Sequence, residues 1–248
     1  MIIELLGLPG SGKTFLRNNI VSQLAEQDKN QAITKYEAVK ICLQRKKDGA
    51  LTALFKKLPY AVWNRIIHKH YCLPELLEFS SCHIQLTAFY HNELKRSRAS
   101  RQAIRTVLGA FADTCVERQL FDSYGHSEEL ILMDEGFCHR FFTLYGNLSL
   151  PCTQEDISRY VKMLPPVQGA IFVATPESLC LERLKKRSCL PVLLDSDEKA
   201  ATVLEHGNML FAKLAEELHS HRIPCAIYDG QSSNFKAIAD FCVSVIQK

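Results

Sequence analysis

The sequence predicts an α/β fold: a five-stranded parallel sheet with helices on both faces and a helical insertion. Three observations predict it. Short apolar runs, too short for helices, stand at residues 1–6, 130–133, 170–174 and 223–228. Segments of helical periodicity separate them, which calls for crossover connections between parallel strands. The first run also leads straight into a glycine cluster, a strand–loop–helix order typical of sheets that bind ligands at one edge.

Met1 to Leu6 is apolar apart from Glu4 and reads as a buried strand. Leu16, Ile20, Val21 and Leu24 then recur at helical spacing until Asp28-Lys29-Asn30. A short β-like run follows at Gln31 to Thr34. From residue 36 to 127 the pattern is helical, broken by Pro59 and Pro74, and this stretch is an elaboration of one domain spanning 1–248. Its last helix carries Ile104, Val107, Leu108, Phe111 and Cys115 on one face, after a cap at Ser97 or Ser100. The run Leu130 to Met133 ends in Asp134-Glu135-Gly136, and Ala170 to Ala174 ends at Thr175-Pro176. Thr175 as N-cap and Pro176 at the first helical position start a helix through Arg187. Ile223 to Tyr228 closes at Asp229-Gly230, and Phe235, Ile238, Cys242, Val245 and Ile246 stripe a terminal helix.

The 248 residues are 47% apolar and 23% charged, which excludes a disordered or collagen-like chain. Thirty basic against 27 acidic residues leave +3, too mild a surplus to indicate a nucleic-acid partner. No apolar run approaches the ~18 residues of a membrane span, and no secretory signal pattern is present, so a cytoplasmic location without membrane association is expected. The ten cysteines form no C-x-x-C pair, so reduced, mostly buried thiols are expected in place of zinc ligands or disulfides.

Gly7-Leu8-Pro9-Gly10-Ser11-Gly12-Lys13-Thr14 matches G-x-x-x-x-G-K-[ST] between an expected strand and an expected helix. A polyphosphate must be ringed by backbone N–H groups at a helix N-terminus, and glycines clear the space for it. Gly7, Gly10, Ser11, Gly12, Lys13 and Thr14 are therefore the expected nucleotide contacts. Lys13 suits the β- and γ-phosphates, and the Thr14 hydroxyl suits Mg²⁺.

Asp134 and Glu135 leave the carboxyl end of a buried strand, the edge where open α/β sheets bind ligands. Asp134 is the expected metal-side carboxylate. Glu135 is the expected base or water-orienting residue, although neighbours on a strand point to opposite faces. Glu37 competes for the role of base because it follows the short second strand. Arg140 either turns in to a phosphate or lies on the surface. Arg183 and Arg187 are four residues apart, hence on one helical face, and two guanidinium groups there could close over a transferring phosphate.

With GLPGSGKT, the acidic strand end at Asp134 and PESLCLERLKKR, the chain resembles thymidylate kinase and related P-loop nucleotide kinases over roughly half its length, residues 1–30, 128–190 and 222–248. The resemblance implies the P-loop NTPase-type three-layer fold with sheet order 2-3-1-4-5. It also implies a lid over ATP at about residues 184–200, and an adenine site bordered by the Ile223 to Tyr228 strand and Asp229-Gly230. It differs from the family's Asp-Arg-Tyr/His at the third strand, having Asp134-Glu135-Gly136 with the arginine delayed to Arg140.

Lys95 to Arg105 holds five basic residues, with Arg98, Arg101 and Arg105 in one stripe. Such a stripe is a solvated face, a grip on an anionic acceptor or a contact to RNA phosphates. The expected activity is phosphotransfer from MgATP to a small acceptor such as a nucleotide or nucleoside. The alternative is an NTPase or nucleotide switch acting through a protein partner; a sulfo- or other group transferase using a nucleotide donor is a third reading, against which the pairing of Lys13 with Thr14 argues. The expected cofactors are ATP and Mg²⁺, and the expected partners are the acceptor and a second copy of the chain.

Overall fold

A computed structural model describes residues 1–26, 32–46, 73–125, 129–146, 148, 150–186 and 197–246. Strands β1 (Ile2–Leu6), β2 (Ala32–Thr34), β3 (Leu130–Asp134), β4 (Gly169–Ala174) and β5 (Cys225–Asp229) form one sheet in the order β2-β3-β1-β4-β5. Every pairing is parallel. This is the sheet order implied by the resemblance to P-loop nucleotide kinases.

The sheet is buried on both faces, which is why its central strands read as continuous apolar runs. Ile3, Leu5, Leu130, Leu132, Ile171 and Val173 pack with Leu16, Ile20 and Leu24 of α1 (Lys13–Glu26). Ile238, Cys242 and Val245 of the last described helix, Phe235–Ile246, complete that layer and bear out its apolar stripe. On the other face, Ile131 and Met133 meet Ala38, Val39 and Cys42 of α2 (Lys35–Arg45). The insertion continues as α3 (Leu73–Cys82), α4 (Ile84–Arg96) and α5 (Arg101–Tyr124). Residues 47–72, including Pro59, lie outside the described residues.

Several local expectations need correction. Pro74, at which the sequence predicts a break in the helical pattern, sits in the first turn of α3, where its missing N–H would have no intrahelical partner. Of the two proposed caps for α5, Ser100 is the one used, its hydroxyl accepting from the Ala103 N–H. Leu108 is 49% exposed and lies off the buried face formed by Val107, Phe111 and Cys115. The fifth strand begins at Cys225, two residues later than its apolar run suggests.

Helix α6 (Phe137–Tyr145) has all nine residues buried. A helix enclosed on every side shows no apolar–polar stripe, so its sequence carries no amphipathic signature. Helices α7 (Gln154–Met163), α8 (Glu177–Lys186) and α9 (Asp197–Ser220) follow, and the terminal helix Phe235–Ile246 is α10. The lid range expected at 184–200 falls largely on residues 187–196, outside the described residues, and Arg187 is among them. Five of the eight described cysteines are buried, and all eight are free thiols. Among the described residues no helix is long and apolar enough to cross a membrane.

Candidate active site

The turn between β1 and α1 has the backbone of an anion cradle. Gly7, Gly10 and Gly12 adopt φ of 144°, 82° and 100°, values L side chains rarely tolerate. Space is as restrictive as φ at two of them. A Cβ at Gly7 would stand 2.8 Å from the Val173 carbonyl oxygen, and one at Gly10 would stand 2.6 Å from the Cys180 carbonyl oxygen. The loop is thus pressed onto β4 and α8.

Helix α1 starts at Lys13, so its unpaired N–H groups and the positive end of its dipole face the loop. Lys13 is buried, and its Nζ donates to the carbonyls of Gly7 at 2.7 Å and Leu8 at 2.9 Å. Burial pushes this ammonium down to about 8, against the opposing pull of Glu135 and Asp134. Ser11 is fully buried.

The strand-end carboxylate faces this loop, as the sequence predicts. Thr14 donates its hydroxyl to Asp134 Oδ2 at 3.3 Å. Arg17 Nη1 lies 2.7 Å from the same oxygen, with both side chains buried. Asp134 Oδ1 is buried and has no hydrogen-bond partner. An orphaned carboxylate oxygen next to a hydroxyl is a hard-oxygen donor set, and it fits Mg²⁺.

Glu135 lies within electrostatic reach of Lys13, and strand alternation does not hold at this position. Its φ of 95° turns the backbone out of strand geometry directly after Asp134, so the two side chains need not oppose each other. The carboxylate is 52% exposed and lies 3.4 Å from Arg140 Nη2. Burial of its surroundings pushes its pKa up, yet the neighbouring charges prevail and hold it below the usual carboxylate range. With His139 neutral, those charges are Arg140, Lys35 and Lys13.

Arg140 turns inward: its side chain is 8% exposed, and Nε donates to the Thr114 hydroxyl of α5 at 2.8 Å. His139 is buried, stacks on Phe211 of α9 at 5.6 Å, and leaves Nδ1 without a partner. Burial, reinforced by the Lys13 charge, drives its pKa well below the ordinary imidazole value, so the ring is neutral at physiological pH.

Glu37, the competing candidate base, caps its own helix. Its Oε2 accepts from the backbone N–H of Thr34 at 2.8 Å and from the Thr34 hydroxyl at 2.9 Å, closing a capping box at the start of α2. The residue that β2 delivers to the site is Lys35, buried and paired with Glu117 of α5 at 3.3 Å. Lys35 and Arg17 lie 5.3 and 5.5 Å from the Tyr36 ring.

On the other side of the loop, Arg183 donates to the carbonyls of Gly10 at 3.3 Å, Ser11 at 3.2 Å and Gly230 at 3.5 Å. It grips the cradle's backbone. Thr175 does not cap α8. Its hydroxyl donates to the Ser11 carbonyl at 2.9 Å, and the Pro176 carbonyl accepts the first helical N–H, from Cys180. Arg98, Arg101 and Arg105 are all exposed.

Sequence reasoning passed over Arg17, Lys35 and His139. The first two had readable signals: Arg17 is four residues past Lys13 on the same helical face, and Lys35 follows a strand at its carboxyl end, as Asp134 does. His139 had none, because its helix is buried all round.

No protein-family model matches the chain, and no curated protein matches it. Among solved structures it is similar to a deoxyadenosine kinase from M. mycoides with bound dATP, at 14% identity over 100% of both chains and a TM-score of 0.45.

Proposed function

We propose that the chain is an ATP-dependent phosphotransferase that moves the γ-phosphate of MgATP to a hydroxyl of a small acceptor, in the class of nucleosides and nucleotides. The observation that carries this reading is the convergence of Lys13, Thr14 and Asp134 beneath a glycine cradle, with the carboxylate of Glu135 beside them.

Each residue has a role in keeping with its surroundings. The cradle N–H groups and Lys13 bind the phosphates, and Lys13 leaves the Gly7 and Leu8 carbonyls to do so. Its lowered pKa reflects burial of the ammonium, and a bound polyphosphate would add negative charge beside it. Thr14 and the free oxygen of Asp134 would hold Mg²⁺, which when bound neutralises charge on the transferring group. Glu135, ionised at neutral pH, accepts a hydrogen bond from the acceptor hydroxyl, aims its oxygen at the γ-phosphate and takes the proton as the new bond forms. Arg140 holds that carboxylate and adds positive charge beside it. Arg183 keeps the cradle closed.

A nucleotide-hydrolysing switch would use the same atoms, and the half-exposed Glu135 suits water as well as an alcohol. A phosphotransfer assay separates the two. MgATP labelled on the γ-phosphate is incubated with the protein and a panel of nucleosides, nucleotides, sugars and amino sugars. Label on an acceptor supports the kinase. Phosphate release alone, raised only by added protein partners, selects the switch. Turnover unchanged by Lys13→Ala would remove both.

A further inference from the structure

We infer that Arg17 is a positioning residue that grips Asp134 by one oxygen and stands in for the divalent cation there, so that the metal enters with nucleotide and not alone. This rests on the reading of Asp134 as the metal-side carboxylate.

The pair is enclosed. The Arg17 side chain is 7% exposed and that of Asp134 is 9% exposed, with Nη1 2.7 Å from Oδ2. Nη1 has no aligned hydrogen bond, so the contact acts as a charge contact. Oδ2 also receives the Thr14 hydroxyl, while Oδ1 receives nothing. A carboxylate this buried is costly without a counter-charge, and Arg17 is the cation in direct contact with it among the described residues.

Arg17 is itself fixed. Its Nε and Nη2 donate to Asn18 Oδ1 at 3.3 and 3.1 Å, and its guanidinium lies 5.5 Å from the Tyr36 ring. Three elements therefore hold it: α1 carries it, α2 supplies Tyr36 and β3 supplies Asp134. A second cation at Oδ1 would stand within a few ångströms of the guanidinium, whose Nη1 is 2.7 Å from the other oxygen of the same carboxylate, and like charges at that range in a poorly solvated site repel strongly. The phosphates of an incoming nucleotide remove that repulsion by adding negative charge. Metal and nucleotide affinities are then coupled, and the coupling runs both ways.

Thermal unfolding of the full chain tests this with Mg²⁺ alone as the probe. Wild-type Tm should not move with millimolar Mg²⁺. Arg17→Gln should lower Tm by on the order of 10 °C, and Mg²⁺ alone should restore several degrees of it, because a freed carboxylate now binds the metal. Adding Asp134→Asn to Arg17→Gln should recover Tm and abolish the Mg²⁺ response. The proposal is overturned if Arg17→Gln has the Tm and Mg²⁺ response of wild type, or if wild type responds to Mg²⁺ as strongly as the variant. Where Arg17→Gln does not fold, the double variant decides: folding without a Mg²⁺ response supports the proposal, and failure to fold makes Arg17 a packing residue and overturns it. A separate wild-type titration with MgATP reads the kinase proposal, and its failure would leave the Mg²⁺-only comparison standing.

Discussion

The carboxylate of Glu4, buried in β1, fills the space that a side chain at Gly136 would need. Its two oxygens accept the backbone N–H groups of Phe137 at 3.1 Å and Cys138 at 2.8 Å, the first turn of α6. Gly136 precedes that helix and provides no side-chain cap, so a residue on a neighbouring strand does the capping. A Cβ on Gly136 would collide with the Glu4 carboxylate, which two hydrogen bonds hold in place. Helix α6 carries His139 and Arg140, so this contact aligns the arginine that lies beside Glu135.

Gly136→Ala should therefore destabilise the fold by about 2 to 4 kcal/mol, since it displaces two hydrogen bonds in the interior. Denaturant unfolding measures the loss. Glu4→Ala alone should also destabilise, and the double variant should lose less than the sum of the two singles, because both remove one interaction.

Lys13→Met should abolish label transfer while leaving the circular dichroism spectrum intact, with kcat falling at least ~10²-fold. A pH signature accompanies it. The folded ammonium is lowered to about 8 from an ordinary 10.5, so the unfolded chain binds this proton more tightly. The group is unfavourable to folding below pH 8, and that cost fades as pH rises from 8 to 10.5. Wild-type stability minus that of Lys13→Met should thus increase across this window. A flat difference would place the lysine in solvent.

The two carboxylates considered as base separate cleanly. Glu135→Gln should lower kcat by ~10²- to 10⁴-fold with little effect on ATP binding. Glu37→Ala should leave kcat within a factor of about two and reduce stability by roughly 1 kcal/mol through loss of the α2 cap. Steady-state kinetics on both variants, with an unfolding curve for the second, checks the assignment.

Arg183→Ala should raise the KM for ATP by about tenfold and change kcat little, because its guanidinium supports the carbonyls of Gly10 and Ser11. A large fall in kcat at unchanged KM would show that Arg183 leaves the loop to meet the transferring phosphate. Thr175→Val removes the 2.9 Å bond to the Ser11 carbonyl and should shift KM in the same direction.

Features whose physics is local can be read from the order of residues. A glycine loop between an apolar strand and a helix has few other uses, and a carboxylate directly after a doubly buried strand must emerge at the ligand-binding edge, so Lys13, Thr14 and Asp134 were legible from spacing alone. The remaining contacts emerge from packing, because those residues meet partners far along the chain. Glu37 and Thr175 sit where local rules allow a base and a cap. The hydroxyl of Thr34 claims the first, and the carbonyl of Ser11 claims the second. Glu135 joins Asp134 through a left-handed backbone turn that strand periodicity cannot express. Helix α6 is enclosed on all sides, so it has no stripe to read, and only packing brings its Arg140 to Glu135 and Thr114 and its His139 to Phe211.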